Sequence, residues 1–239
     1  MAFQNVPSSD DELSELDGDV AQMGGIVEDL VWRASHALER RNPTMAEQAV
    51  RGDAAVDRLE REVQARVILL IGKPGTTGDE VRHAIAILKI ACDLERIGDL
   101  SKNIARRAVA ISQVDLPRQI LLGIEHMTEL AAGQLKDVLD AWSARDESMA
   151  LHVWRRDIKL DALYSSVFRD ALAWMIEDPR NVENATHLLF AAKNLERIGD
   201  HATNIAEQIV LLVTGTSPRN RSKGDNTSFL GVDETRDER

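Results

Sequence analysis

One cysteine, Cys92, is all the thiol chemistry that this 239-residue chain offers. A lone cysteine excludes an intramolecular disulfide and a sulfur-ligated zinc cage, and it suits a reducing compartment. It reads best as a buried structural residue. Aromatics are almost as scarce, at 4% of the chain with a single tyrosine. Strand-like alternation of apolar and polar residues is missing throughout. No apolar run approaches the ~20 residues that a membrane helix needs. The first nineteen residues are rich in Asp and Glu and lack the basic start of a secretory signal. These absences point to a soluble cytoplasmic protein. Positive charge is also in deficit: the formal net charge of −11 argues against broad nucleic-acid binding, because phosphate backbones recruit basic surfaces.

What remains is Ala, Leu, Ile, Val, Glu and Arg, the composition of a helical bundle. Turn-forming residues break the chain at Arg41-Asn42-Pro43, Gly72 to Gly78, Asp115-Leu116-Pro117, Arg145-Asp146, Asp178-Pro179 and Gly215 to Pro218. Between the breaks, apolar residues recur at three- and four-residue spacing. This pattern predicts six helices, at about 10–41, 44–71, 79–113, 118–143, 146–176 and 181–213. Ser9 with Glu12, and Thr44 with Glu47, fit capping boxes, while Asp79 and Glu80 place acids in a first turn. Residues 216–239 are polar and of mixed charge, and read as a disordered tail.

The same string occurs twice, about a hundred residues apart. Asp93-Leu94-Glu95-Arg96-Ile97-Gly98-Asp99 is followed by Asn103-Ile104-Ala105. Asn194-Leu195-Glu196-Arg197-Ile198-Gly199-Asp200 is followed by Asn204-Ile205-Ala206. A second match, Asp53 and Asp57 against Asp157 and Asp161, lies on the middle helix of each half. The chain therefore reads as an all-α duplication, two tandem three-helix bundles over residues 1–115 and 116–215.

In every pair the acids stand four residues apart, on one helix face. Like charges at that spacing cost roughly 0.2–0.5 kcal/mol. The glycine before each motif aspartate costs about 1 kcal/mol relative to alanine. A feature unfavourable twice over, and duplicated, asks for a reason outside helix stability. On a helical wheel the stripe of Ile90, Leu94, Ile97, Leu100 and Ile104 lies nearly opposite Glu95 and Asp99, which places the acids off the core, at a surface or seam. If the middle and last helices of each half pack side by side, Asp53, Asp57, Glu95 and Asp99 converge, as do Asp157, Asp161, Glu196 and Asp200. Such clusters either titrate upward or hold cations. Oxygen donors without convergent His or Cys favour Mg²⁺, Mn²⁺, Ca²⁺ or ferric iron over structural zinc. Asn103 and Asn204, one turn further, could add a carbonyl oxygen or orient a ligand. The bland alternative is a solvated acidic face. The six histidines recur at no equivalent positions and read as surface or core-edge residues. Gly72 to Gly78 lacks the order of a phosphate loop, and Glu80-Val81-Arg82-His83 is a single copy where a di-iron bundle needs two.

The repeated Leu-Glu-Arg-Ile-Gly-Asp with its following Asn-Ile-Ala resembles the PhoU family of bacterial phosphate-transport accessory and regulatory proteins. The resemblance covers roughly residues 10 to 213. It implies two three-helix bundles and metal-site roles for Asp53, Asp57, Glu95, Asp99, Asp157, Asp161, Glu196 and Asp200, with Asn103 and Asn204 at the matching positions beyond. The implied cofactors are divalent or trivalent ions: iron, magnesium, manganese or zinc. The implied partners are a phosphate-sensing histidine kinase and the phosphate ABC transporter, through its ATPase subunit, with a homodimer also open. The implied activity is regulatory, repressing the phosphate-starvation response when phosphate is plentiful. No nucleophile–base pair or nucleotide fingerprint supports catalysis, and no catalytic residue is assigned. The competing class is a metal-dependent hydrolase or oxidase built on a carboxylate cluster.

Overall fold

The structure is a computed structural model and describes residues 9–156 and 158–218. Residues 1–8, Asp157 and 219–239 lie outside that description, including nearly all of the expected tail. Helix α1 spans Ser9–Glu39, α2 Pro43–Ile71, α3 Gly78–Ala110 and α4 Arg118–Ala144. Helices α5 (Glu147–Arg156) and α6 (Ile158–Glu177) flank residue 157, and α7 runs Val182–Thr214 after a short 3-10 turn at Pro179–Asn181. Among the described residues there is no strand, and no helix is long and apolar enough to cross a membrane.

The helix starts show how local chemistry sets the boundaries. Expected capping by Thr44 gives way to Asn42, whose side chain accepts the Met45 N–H at 3.1 Å, with Pro43 in the first turn. Proline prefers that position because its missing N–H has no helical partner there. Thr77 and Glu80 form a reciprocal capping box at α3, a pairing that the first-turn acids only hinted at. Helix α3 stops at Ala110, three residues short of the expected end.

Helices α1, α2 and α3 pack on one another as the first unit, and α4 to α7 form the second. The units meet along α3 with α7 and along α1 with α4. The shared core includes Leu16, Met23, Ile87, Ile97, Ile124, Leu135, Leu195 and Ile205, each almost fully buried. Side chains of that size contribute about 1.5–3 kcal/mol each on burial. Gly24 lets α1 approach α4 closely: a Cβ there would stand 2.7 Å from a Leu139 methyl.

One junction fastens the units with charge. Asp17 of α1 accepts from Arg145 Nη2 at 2.6 Å and lies 3.1 Å from His83 Nε2 of α3. Arg145, left-handed at the end of α4 (φ 52°), stacks 3.6 Å over Trp142. Burial pushes the Asp17 carboxyl upward, but the bonds from His83 and Arg145 outweigh it and hold the group below its ordinary value.

Candidate functional site: two acid seams

In the first unit the acids line the seam between α2 and α3. Asp53 is 3% exposed, deeper than its place at the edge of the apolar stripe suggests. Gly98 makes that depth accessible, since a Cβ at this position would stand 3.2 Å from Asp53 Oδ1. The glycine that weakens α3 therefore seats a carboxylate against its backbone. Lys102 donates to Asp53 Oδ2 and to Asp99 Oδ1, the latter at 2.6 Å. Its ammonium thus bridges the two helices. Asp53 Oδ1 is buried without a hydrogen-bond partner. Burial raises the Asp53 carboxyl above its ordinary value, and the charges of Asp57 and Asp99 push the same way against Lys102. Glu95 is half-buried. Burial raises it as well, opposed by Arg96 and reinforced by Asp99, Asp57 and Glu60. Arg96 stands 3.5 Å from Glu95 and 3.8 Å from Asp99. Asn103 lies half-buried one turn beyond Asp99.

The second seam uses the same motif differently. Glu196 is buried at 7% exposure, contrary to the wheel's placement of the motif acids away from the core. Lys193, one turn before it, donates to Oε1 at 2.6 Å, while Oε2 is buried and unpartnered. Burial raises the Glu196 carboxyl, and Asp200 and Asp161 add to the rise against Lys193. Asp200 is half-buried and Asp161 exposed. Asp157, the expected fourth acid, lies outside the described residues. Asn204 does not turn toward Asp200. It donates across to Asp93 of α3 at 3.3 Å, and His201 Nδ1 lies 2.8 Å from the same oxygen. The exchange of Asp93 for Asn194 between copies was a sequence signal for this contact, since His201 likewise has no second copy.

Charge and donor type in both seams suit a hard cation, and each contains a buried carboxylate oxygen with no hydrogen-bond partner. Among the described residues, however, no three Asp, Glu, His or Cys side chains are grouped closely enough to hold an ion. The Lys102 ammonium occupies the charge position in the first seam. Cys92 is exposed, not buried as expected. Burial of its thiol group and the nearby charge of Glu60 push it above the ordinary value, so it is no reactive thiolate.

The PhoU domain family model matches the chain twice, over residues 20–108 and 124–209. Each match spans one of the units just described. The chain belongs to the PhoU family. It is 43% identical over 223 residues to a phosphate-specific transport system accessory protein PhoU homolog of Rhizobium meliloti, covering 93% of this chain and 94% of that one. A homolog of the same name from Caulobacter vibrioides is 44% identical over 215 residues, with 90% and 94% covered. The crystal structure of PhoU from Pseudomonas aeruginosa superposes with a TM-score of 0.85 at 31% identity, covering 87% of this chain and all of that one. PhoU from Streptococcus pneumoniae, described as a phosphate transport system regulatory protein, gives 0.80 at 26% identity, with 88% and 99% covered.

Proposed function

We propose that this chain is a non-catalytic accessory regulator of phosphate transport whose two acid seams take hard metal cations. The observation that carries the cation reading is the buried, unpartnered carboxylate oxygen in each seam, Asp53 Oδ1 and Glu196 Oε2. Each carboxylate has a lysine on its other oxygen, so what stays uncompensated is the desolvation of one buried acceptor, about 1–3 kcal/mol or more for a charged group, and a cation offsets that cost. In the first seam Asp53, Asp57, Glu95 and Asp99 would hold the ion, with Asn103 orienting; in the second Asp157, Asp161, Glu196 and Asp200 would do so, and Asn204 would join them only by leaving Asp93. Lys102 and Lys193 serve as resident counter-charges that a cation competes with. Iron, magnesium, manganese or zinc would supply positive charge that neutralises each seam.

The names of the relatives support the phosphate role. In this reading the chain connects the phosphate ABC transporter, by its ATPase subunit, to a phosphate-sensing histidine kinase in the cytoplasm and represses starvation genes when phosphate is ample. The test replaces the seam acids with amides in cells that report on phosphate-starvation genes. Derepression in high phosphate at normal protein abundance is expected. Full repression by a chain lacking all eight acids overturns a regulatory role for the seams. Turnover of a phosphoester or of dioxygen by the metal-loaded protein would favour the enzyme alternative.

A further inference from the structure

The motif helices pack on each other in a way that creates one groove twice. Asp93 of α3 meets Asn204 of α7, and Arg107 of α3 meets Phe190 of α7, so the two helices run antiparallel. Because α3 and α7 are also equivalent in the duplication, the pair has pseudo-twofold symmetry, and each end of the α3–α7 groove has a counterpart at the other. At one end the chain provides its own ring. The Arg107 guanidinium stands 4.9 Å over Phe190, and its Nη1 lies 3.3 Å from His187 Nδ1. At the other end Lys89 stands where Phe190 would be, and Gln208 where Arg107 would be. There the groove is open, a cavity of about 260 Å³ lined by Val81, Ile85, Leu211 and Leu212, with the exposed cations Arg82 and Lys89 beside them. That space far exceeds the ~30 Å³ share of one water.

We propose that the open groove is the docking site of the chain's own C-terminal segment, residues 219–239, with Phe229 supplying the ring that Phe190 supplies at the opposite end. Position favours this occupant. Helix α7 ends at Thr214 and Gly215 turns the chain in the left-handed conformation (φ 75°), less than a turn beyond Leu212. Eleven residues from Pro218 to Phe229 reach up to roughly 36 Å when extended, and doubling back one helical turn needs about 5 Å. Charge favours it as well. Residues 219–239 carry five acidic and five basic side chains, but the charged residues nearest Phe229 are all acidic, Asp225, Asp233 and Glu234, a local sign that suits Arg82 and Lys89. The segment before α1 also has a ring, Phe3, but no charged side chain among residues 1–8. Tethering within one chain raises the effective concentration of this occupant above that of a free peptide. The proposal stands apart from the cation reading, and failure of one leaves the other in place.

The test uses the full-length chain with Phe229 replaced by photoreactive p-benzoylphenylalanine, irradiated and mapped by mass spectrometry. Crosslinks should fall within Val81–Lys89 or Gln208–Leu212 of the same molecule, with a yield independent of protein concentration. Adding Lys89→Phe, at an exposed position, fills the groove as Phe190 does at the other end. It should cut the yield at least fivefold while leaving the thermal transition in place. Four outcomes overturn the proposal: crosslinks outside the groove, yields that rise with concentration and so report a second copy, an unchanged yield with Lys89→Phe, or groove labelling from the same photoreactive residue at Phe3 and not at position 229.

Discussion

In the first seam the neutralising ammonium comes from Lys102, one turn after Asp99, and crosses from α3 to Asp53 on α2. In the second it comes from Lys193, one turn before Glu196, and stays on its own helix. The surroundings differ in the same sense. Cys92 of the first unit lies 3.7 Å from Glu60, whereas at the equivalent places Lys193 stands 5.1 Å over the Tyr164 ring. A duplicated motif has thus kept its acids and its glycine while its counter-charge has moved. The lysine of the first seam joins two helices and contributes to packing. The lysine of the second modulates one carboxylate.

That contrast gives an order of expected effects. The largest belongs to Lys102→Met, which leaves Asp53 buried beside Asp57 and Asp99 with no cation. Removing one partner of a buried pair costs about 3–5 kcal/mol, and the partial exposure of Lys102 reduces this to roughly 2–3 kcal/mol in urea unfolding of chelated protein. Added divalent metal should restore more stability to this variant than to the unaltered chain. Lys193→Met should cost only about 1 kcal/mol, since Lys193 is more exposed and bonds one oxygen. Equal losses from the two variants would break the comparison.

A middle effect concerns pH. Burial raises the carboxyls of Asp53, Glu95 and Glu196 above their ordinary values, so the folded chain keeps protons that the unfolded chain releases. Their destabilisation is fully present above the raised values and is relieved as pH falls through them toward the ordinary 4.5 of a glutamate. Asp17 runs the other way: its stabilisation is lost as pH falls through a value held below 3.8. Chelated protein should therefore gain stability from neutral into weakly acid solution and lose it at lower pH. Metal affinity should fall over the same weakly acid range, because protons and cations compete for the seams. Denaturant midpoints across pH, with and without metal, check both signs. The smallest effect is Glu95→Gln in the first seam and Asp161→Asn in the second, each within about 0.5 kcal/mol without metal, because Glu95 is only half-buried and Asp161 is exposed.

Periodicity and duplication made the helices and the two units legible, since apolar spacing and turn residues act locally. Depth in the seam was less so. A wheel reports direction from one helix axis, and Asp53 is buried because α2 meets α3 at Gly98, a contact between distant positions. Lys102 escaped notice for a related reason: its partners lie on two helices, and its counterpart in the second copy is Thr203. The fit of Asn204 and His201 to Asp93 depends on how the two units face each other, which neither repeat encodes alone.

The most direct test of the central claim, that the acid seams take cations, is elemental analysis of the protein purified without chelator, beside a Glu95→Ala, Glu196→Ala double variant. The account predicts bound metal in the unaltered protein and its loss from the variant, with the helical fold and thermal transition retained. Equal metal content in both, or none in either after exposure to iron, magnesium, manganese and zinc, would contradict it.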